Sequence, residues 1–187
     1  MNYLKKVIRA LYRRARAYDR DAYLEKLKER GLRIGKNPKI LQDVIIDDAH
    51  CWHIEIGDDV TMAPRVHILA HDASTKTFLG YTKIGKVKIG DRVFIGAGTI
   101  ILPGVTIGDD VVIGAGSIVS GDIPSASVAT GNPARVIKTL DEYLRERRRE
   151  MERYPLFDEK YTLVGGVSHE MRSEMNRKME EGFGFVV

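Results

Sequence analysis

The sequence has a single cysteine, Cys51, among 187 residues. That excludes an intramolecular disulfide and points to a reducing compartment. No apolar run approaches the roughly 18 residues that span a bilayer. Residues 1–18, MNYLKKVIRALYRRARAY, hold no uninterrupted apolar stretch of the signal-peptide kind. The expectation is therefore a cytoplasmic protein. Aromatic residues make up only 7% of the chain. No base-stacking set of them accompanies the positive charge, and no recognition motif does, so nucleic acid is not an expected partner. What remains is ordinary for a folded chain, with 43% hydrophobic residues and a formal charge of +4. Its length suits one compact domain or one solenoid with appendages.

The basic residues are unevenly spread. Lys5, Lys6, Arg9, Arg13, Arg14, Arg16 and Arg20 crowd one end, and Arg145, Arg147, Arg148 and Arg149 form a second cluster. Between the first set, Leu4, Val7, Ile8, Leu11, Tyr12 and Ala15 fall on one face of a helix. Residues 3–31 read as that helix, closed by Gly31 in the manner of a C-cap. Two roles are open to it. Its apolar stripe caps an end of the core, or its basic back makes a peripheral contact with anionic lipid or a membrane-bound partner.

The middle of the chain keeps a six-residue beat. It runs Ile89-Gly90, Ile95-Gly96, Ile101-Leu102, Ile107-Gly108, Ile113-Gly114 and Val119-Ser120, with Val93, Thr99, Val105, Val111, Ser117 and Ile123 four places after each start. Such a short fixed period of apolar, turn and small or β-branched residues is the signature of a parallel β-helix built of hexapeptides. Earlier pieces follow the same beat at Ile34, Ile40, Ile46, Ile56, Met62 and Ile68, with a slip between Val44 and Ile56. A polar, turn-rich stretch from His71 to about Lys83 reads as a loop thrown out from a coil. The expected organisation is a basic helical segment over 1–33, an all-β solenoid over 34–137 with the loop 71–83, and a helical extension over 138–187. Helices are expected at 138–153 and 171–181.

Side chains alternate along each short strand, so an inward beat residue has an outward predecessor. Three hexapeptides per turn bring equivalent positions together roughly every 18 residues, about 4.8 Å apart along the axis. Phe94 with Val112, and Ile100 with Ile118, then form two outward apolar columns. Columns of that kind imply a covered surface, hence a homo-oligomer.

The stretch from Ile56 to Lys138 resembles the hexapeptide-repeat acetyltransferases of the galactoside and maltose acetyltransferase kind. The resemblance rests on Ile56-Gly-Asp-Asp-Val-Thr-Met-Ala-Pro64, His71, Ile89-Gly-Asp91, Pro103-Gly-Val-Thr-Ile-Gly-Asp109, Ile113-Gly-Ala-Gly-Ser-Ile-Val119, Asp122-Ile-Pro124 and Gly131-Asn-Pro-Ala-Arg-Val-Ile137. It implies a left-handed parallel β-helix, although parallel strands are otherwise joined almost always by right-handed crossovers. It also implies a homotrimer, with acyl-CoA lying in a cleft between neighbouring subunits.

The implied chemistry needs a base to take a proton from the acceptor as it attacks a thioester, and a donor to stabilise the oxyanion. His71 stands where the family places its catalytic histidine. The resemblance also assigns Ala97 and Ala115 to the pantetheine arm, Ser120 to a nearby polar contact, and Arg135 and Lys138 to the nucleotide phosphates of CoA. Acetyl-CoA is the expected co-substrate and no metal is expected. His50, His53 and Asp43 are expected to line the substrate site, Asp43 as the candidate for the polar residue that the maltose and galactoside enzymes place one coil from the histidine. Cys51 reads as a buried structural thiol rather than a nucleophile.

The acceptor is expected to be a hydroxyl of a sugar or glycan, since the segment before the coil and the loop after His71 differ from those of the maltose and galactoside enzymes. Four alternatives stand beside this reading. They are a serine-acetyltransferase-like enzyme, a sugar N-acetyltransferase, a zinc enzyme of the γ-carbonic anhydrase type, and a non-catalytic solenoid scaffold. The zinc reading fits poorly, because His67 and His71 lack that family's spacing and should point in different directions.

Overall fold

The computed structural model describes residues 21–187, in two units that meet at Leu140 and Asp141. The basic stripe of residues 4–20 lies outside the described residues. Among those described, no helix is long and apolar enough to cross a membrane.

Residues 21–29 are helical (α1), and the helix ends as Gly31 allows. Leu32 N–H donates to Leu27 C=O and Gly31 N–H to Lys28 C=O, the paired bonds of a Schellman cap. Gly31 takes a φ of +103°, and a Cβ there would stand 2.9 Å from Cβ of Trp52. Leu27 and Leu32 are buried, and Tyr23 and Leu24 pack on the same core. The described end of this helix thus covers solenoid core, while Cys51 sits beneath it with its thiol donating to Leu27 C=O at 3.6 Å.

The coil then winds through strands so short that each carries one inward side chain, or two in the three-residue strands of the first face. Its first turn holds β1 (Arg33–Ile34), β2 (Lys39–Ile40) and β3 (Ile45–Ile46). The second holds β4 (Ile54–Ile56), β5 (Thr61–Met62) and β6 (His67–Ile68), followed by a hairpin of β7 (His71–Asp72) and β8 (Lys83–Ile84) around a short helix, α2 (Lys76–Leu79). The third turn has β9 (Val87–Ile89), β10 (Phe94–Ile95) and β11 (Ile100–Ile101), and the fourth β12 (Thr106–Ile107), β13 (Val112–Ile113) and β14 (Ile118–Val119). A hairpin of β15 (Ser127–Gly131) and β16 (Ala134–Thr139) closes it.

These strands stack into three parallel sheets, each taking one strand per turn. The first face is β1-β4-β9-β12, the second begins β2-β5-β10-β13-β15, and the third is β3-β6-β11-β14. The beat residues Met62, Ile68, Ile95, Ile101, Ile113 and Val119 are all fully buried. Thr99 and Ser117 are buried too, and both hydroxyls donate to Gly114 C=O, at 3.3 and 2.6 Å. Ile101→Ala should destabilise the coil by about 2–5 kcal/mol, read as a lowered urea midpoint; an unchanged midpoint would mean that Ile101 is not packed as described.

Successive turns are spaced unevenly, and that accounts for the slip in the sequence. From the third to the fourth turn, paired residues are 18 apart. From the first to the second they are 22 apart, because a 3-10 turn at Cys51–His53 is inserted. From the second to the third they are 33 apart, which accommodates the β7–β8 hairpin.

The recurrent Ile-Gly-Asp is a corner device. The carboxylate of Asp109 accepts from Asp91 N–H, that of Asp91 from Asp58 N–H, and that of Asp58 from Lys36 N–H. Each turn is thereby tied to the next. Gly90 must lack a side chain for this to happen, since a Cβ would meet the Asp109 carboxylate at 2.2 Å and Gly108 backbone at 2.7 Å.

The second unit, residues 141–187, contains most of α3 (Leu140–Met151), α4 (His169–Lys178) and a small parallel pair, β17 (Leu156–Phe157) with β18 (Phe185–Val186). The apolar end of the chain, which has no legible role in the sequence, is thus a strand. Tyr154 stacks on Phe183 at 4.3 Å between ring centroids, and Phe157 meets Tyr161 at 5.1 Å.

Candidate active site

The edge that follows the third face gathers the chemically interesting groups. Asp47 comes directly after β3 and His71 shortly after β6, and β3 pairs with β6 through Ile45–His67 and Ile46–Ile68. Asp47 is buried, with its side chain 1% exposed, while that of His71 is 33% exposed. Their contact is short, 2.5 Å from His71 Nδ1 to Asp47 Oδ2.

Asp47 is held by four donors. Its Oδ1 accepts from the N–H groups of Ala49 and His50, both at 3.1 Å. Its Oδ2 accepts from Ala70 N–H at 2.9 Å and from His71. Burial pushes this carboxyl upward, but the bonds from His71, Ala70 and His50 outweigh it and leave the group below its ordinary range. Asp47 is therefore ionised near neutral pH and can only accept. The proton of a neutral His71 then resides on Nδ1, and Nε2 keeps its lone pair.

His50 lies against His71, with ring centroids 4.8 Å apart. His53 stacks on the other side of His50 at 6.3 Å, nearly parallel, and Trp52 is tilted against both rings. The structure thus brings His50 against His71, with His53 reaching it only through His50, on the 3-10 turn that carries both. Trp52 is 47% exposed and was not singled out by sequence reasoning.

Asp43 is placed elsewhere. It occupies the turn between β2 and β3 with a φ of +59°, at the corner between the second and third faces. That corner is one face away from His71 within the chain, and the carboxylate that meets His71 is Asp47. Asp47 escapes the sequence reading for a simple reason: paired residues here are 22 apart, whereas a regular 18-residue spacing sets His71 against His53. Aligning Ile46 with Ile68 as beat residues would have exposed Asp47, because it follows one as the His71 segment follows the other.

Ala97 and Ala115 stack at the corner that Asp43 occupies, with Gly116 N–H donating to Ala97 C=O at 2.8 Å. Ser120 follows β14, on the same edge as Asp47 but further along the axis. Within one chain, then, the residues assigned to pantetheine and the histidine lie on opposite borders of the third face. That face presents Ile45, His67, Ile100 and Ile118 outward in one column. Phe94 and Val112 pair similarly on the second face. His67 thus stands in the outward column, apart from His71.

Arg135 and Lys138 lie on β16. A spacing of three would normally put them on opposite sides of a strand. A bulge intervenes: Arg135 pairs with Thr130 and Lys138 with Val128, two positions apart on β15, so both share one face.

A three-faced hexapeptide coil with a carboxylate-oriented histidine at one edge defines the class. Residues 86–121 match the family model described as bacterial transferase hexapeptide, six repeats. Protein CapG of Staphylococcus aureus is 40% identical over 124 residues, which are 64% of this chain and 72% of that protein. Among solved structures, a maltose O-acetyltransferase from Clostridium difficile 630 is 47% identical, with a TM-score of 0.52, over 58% of this chain and 59% of that one. A hexapeptide-repeat acetyltransferase from Vibrio cholerae O1 biovar eltor, complexed with acetyl coenzyme A, is 32% identical with a TM-score of 0.53, over 59% and 61%. The chain belongs to the hexapeptide-repeat acyltransferase family. It spans about three fifths of these two solved relatives.

Proposed function

We propose that the protein transfers an acetyl group from acetyl-CoA to a hydroxyl of a sugar or glycan, with His71 as the general base. The observation that carries this reading is the Asp47–His71 pair, in which an ionised, fully buried carboxylate holds the Nδ1 proton. Nε2 of His71 takes the proton of the acceptor hydroxyl as its oxygen attacks the thioester carbonyl. The new C–O bond forms, the C–S bond breaks, and the CoA sulfur leaves with the proton returned by His71.

Left-handed coiling and a threefold assembly belong to the same reading. The assembly is supported by the outward columns of Ile100 with Ile118 and Phe94 with Val112. Ser120 lies on the histidine's own edge; a cleft between subunits requires that His71 come from one chain and Ala97 and Ala115 from its neighbour. Their separation on the two borders of the third face favours that arrangement. Arg135 and Lys138, sharing one face, are suited to the CoA phosphates. Trp52 supplies an exposed apolar ring beside His50 and His53, the mixture of aromatic and polar groups that suits a sugar.

Calorimetry with acetyl-CoA, alongside a measured assembly mass, tests the reading. Binding near one per chain in a trimer supports it; no binding at millimolar ligand favours a scaffold. Arg135→Ala should weaken CoA binding while leaving dephospho-CoA binding nearly unchanged. Equal losses for both ligands would remove Arg135 from the 3′-phosphate.

A further inference from the structure

The fold buries Nδ1 of His50 with no hydrogen-bond partner among the described residues. Buried polar atoms are rarely left so, and a water or a bound ion is what completes them. One ligand atom each from Asp47, His50 and His71 lies within 4.8 Å of the others. Two imidazoles and a carboxylate are a donor set that zinc accepts, whereas magnesium and calcium favour oxygen alone. We infer that Asp47, His50 and His71 form a binding site for a divalent transition-metal cation of the zinc class.

An ion needs two adjustments here, since the 2.5 Å Asp47–His71 contact must open to admit it and the group as a whole, within 4.8 Å, must draw in. Tetrahedral bonds of 2.0–2.1 Å put ligand atoms about 3.3 Å apart. Drawing in falls to His50, whose Nδ1 has no hydrogen bond to give up. The N–H groups of Ala49 and Ala70 already fix the Asp47 carboxylate, the outer support that metal ligands use. A fourth position remains open. His67 takes no part, because it stands in the outward column between Ile45 and Ile100, so the site is unlike an inter-subunit three-histidine centre. Occupancy and base catalysis exclude each other, because both draw on His71. The site itself requires only these three side chains and stands whether or not acetyl transfer is the reaction.

The test uses untagged full-length protein, stripped with a chelator and titrated with zinc against a chromophoric competitor. Cobalt(II) serves as the second probe, through its visible absorption. The expected result is one ion per chain, with a four-coordinate cobalt spectrum. His50→Ala should weaken zinc by at least the roughly 10–100-fold that losing even an outer-shell partner costs, and His67→Ala should leave it unchanged. Thermal unfolding checks that the variants are folded, and His50→Gln replaces the alanine variant if that one is not. Absence of stoichiometric zinc, or undiminished affinity in a folded His50 variant, overturns the inference.

Discussion

Replacing His71 with alanine is expected to lower acetyl transfer by about 10²–10⁴-fold, with acetyl-CoA affinity nearly unchanged. Proton removal from the acceptor is the task assigned to its Nε2. No other side chain pairs an accessible ring nitrogen with the buried carboxylate of Asp47 among the described residues. The donor's phosphates and pantetheine are assigned to residues on other strands, so its affinity reports separately. Steady-state turnover and calorimetry on the same preparation make the comparison. Near-normal turnover would remove His71 from the mechanism; lost CoA binding would mean that the substitution disturbed the coil instead.

Asp47→Asn is expected to damage both stability and turnover. Four N–H donors converge on the two oxygens of Asp47. Asparagine offers one oxygen, and its amide N–H₂ would face the remaining donors. Each stranded donor costs about 1–3 kcal/mol, so a loss of roughly 2–5 kcal/mol is expected. Turnover should fall at least about tenfold, because nothing then holds the His71 proton on Nδ1. Urea unfolding and turnover at matched pH measure the two effects; a variant as stable as the parent would show that these bonds are not made in solution. The sign of the pH dependence follows. The folded Asp47 carboxyl is depressed below its reference value of 3.8, so its contribution is complete above that pH. It is lost as pH falls through the lower, folded value. The difference in stability between parent and Asp47→Asn should therefore shrink in acid.

The fold was legible because its period is local. An inward isoleucine every sixth residue, a glycine where the next turn presses close, and an aspartate that ties the corners are all set within a few residues of one another. Ile101 and Gly90 could be read as beat and turn residues without knowing what lay above them, whereas the tie from Asp58 N–H to Asp91 came with the structure. Gly31 as a helix stop and Cys51 as a buried thiol were legible from the sequence too. His71 was legible by resemblance, since the motifs that flank it are specific.

Asp47 was not legible, and the reason is physical. A solenoid tolerates an insertion at a corner without disturbing the stacking of its strands, so the turn at Cys51–His53 changes the count between neighbours but not their contact. Residues 43 and 47 sit on different corners, and only the pairing of Ile46 with Ile68 decides which one meets His71. The bulge in β16 acts in the same way, bringing Arg135 and Lys138 to one face against the alternation their spacing implies. By itself, the sequence determined the coil and its inward residues, because these depend on the spacing of near neighbours, while His71 was marked by the resemblance. Only the tertiary structure decided the partner of that histidine and the row of His50, Trp52 and His53 beside it, because those contacts depend on how unequal turns come into register.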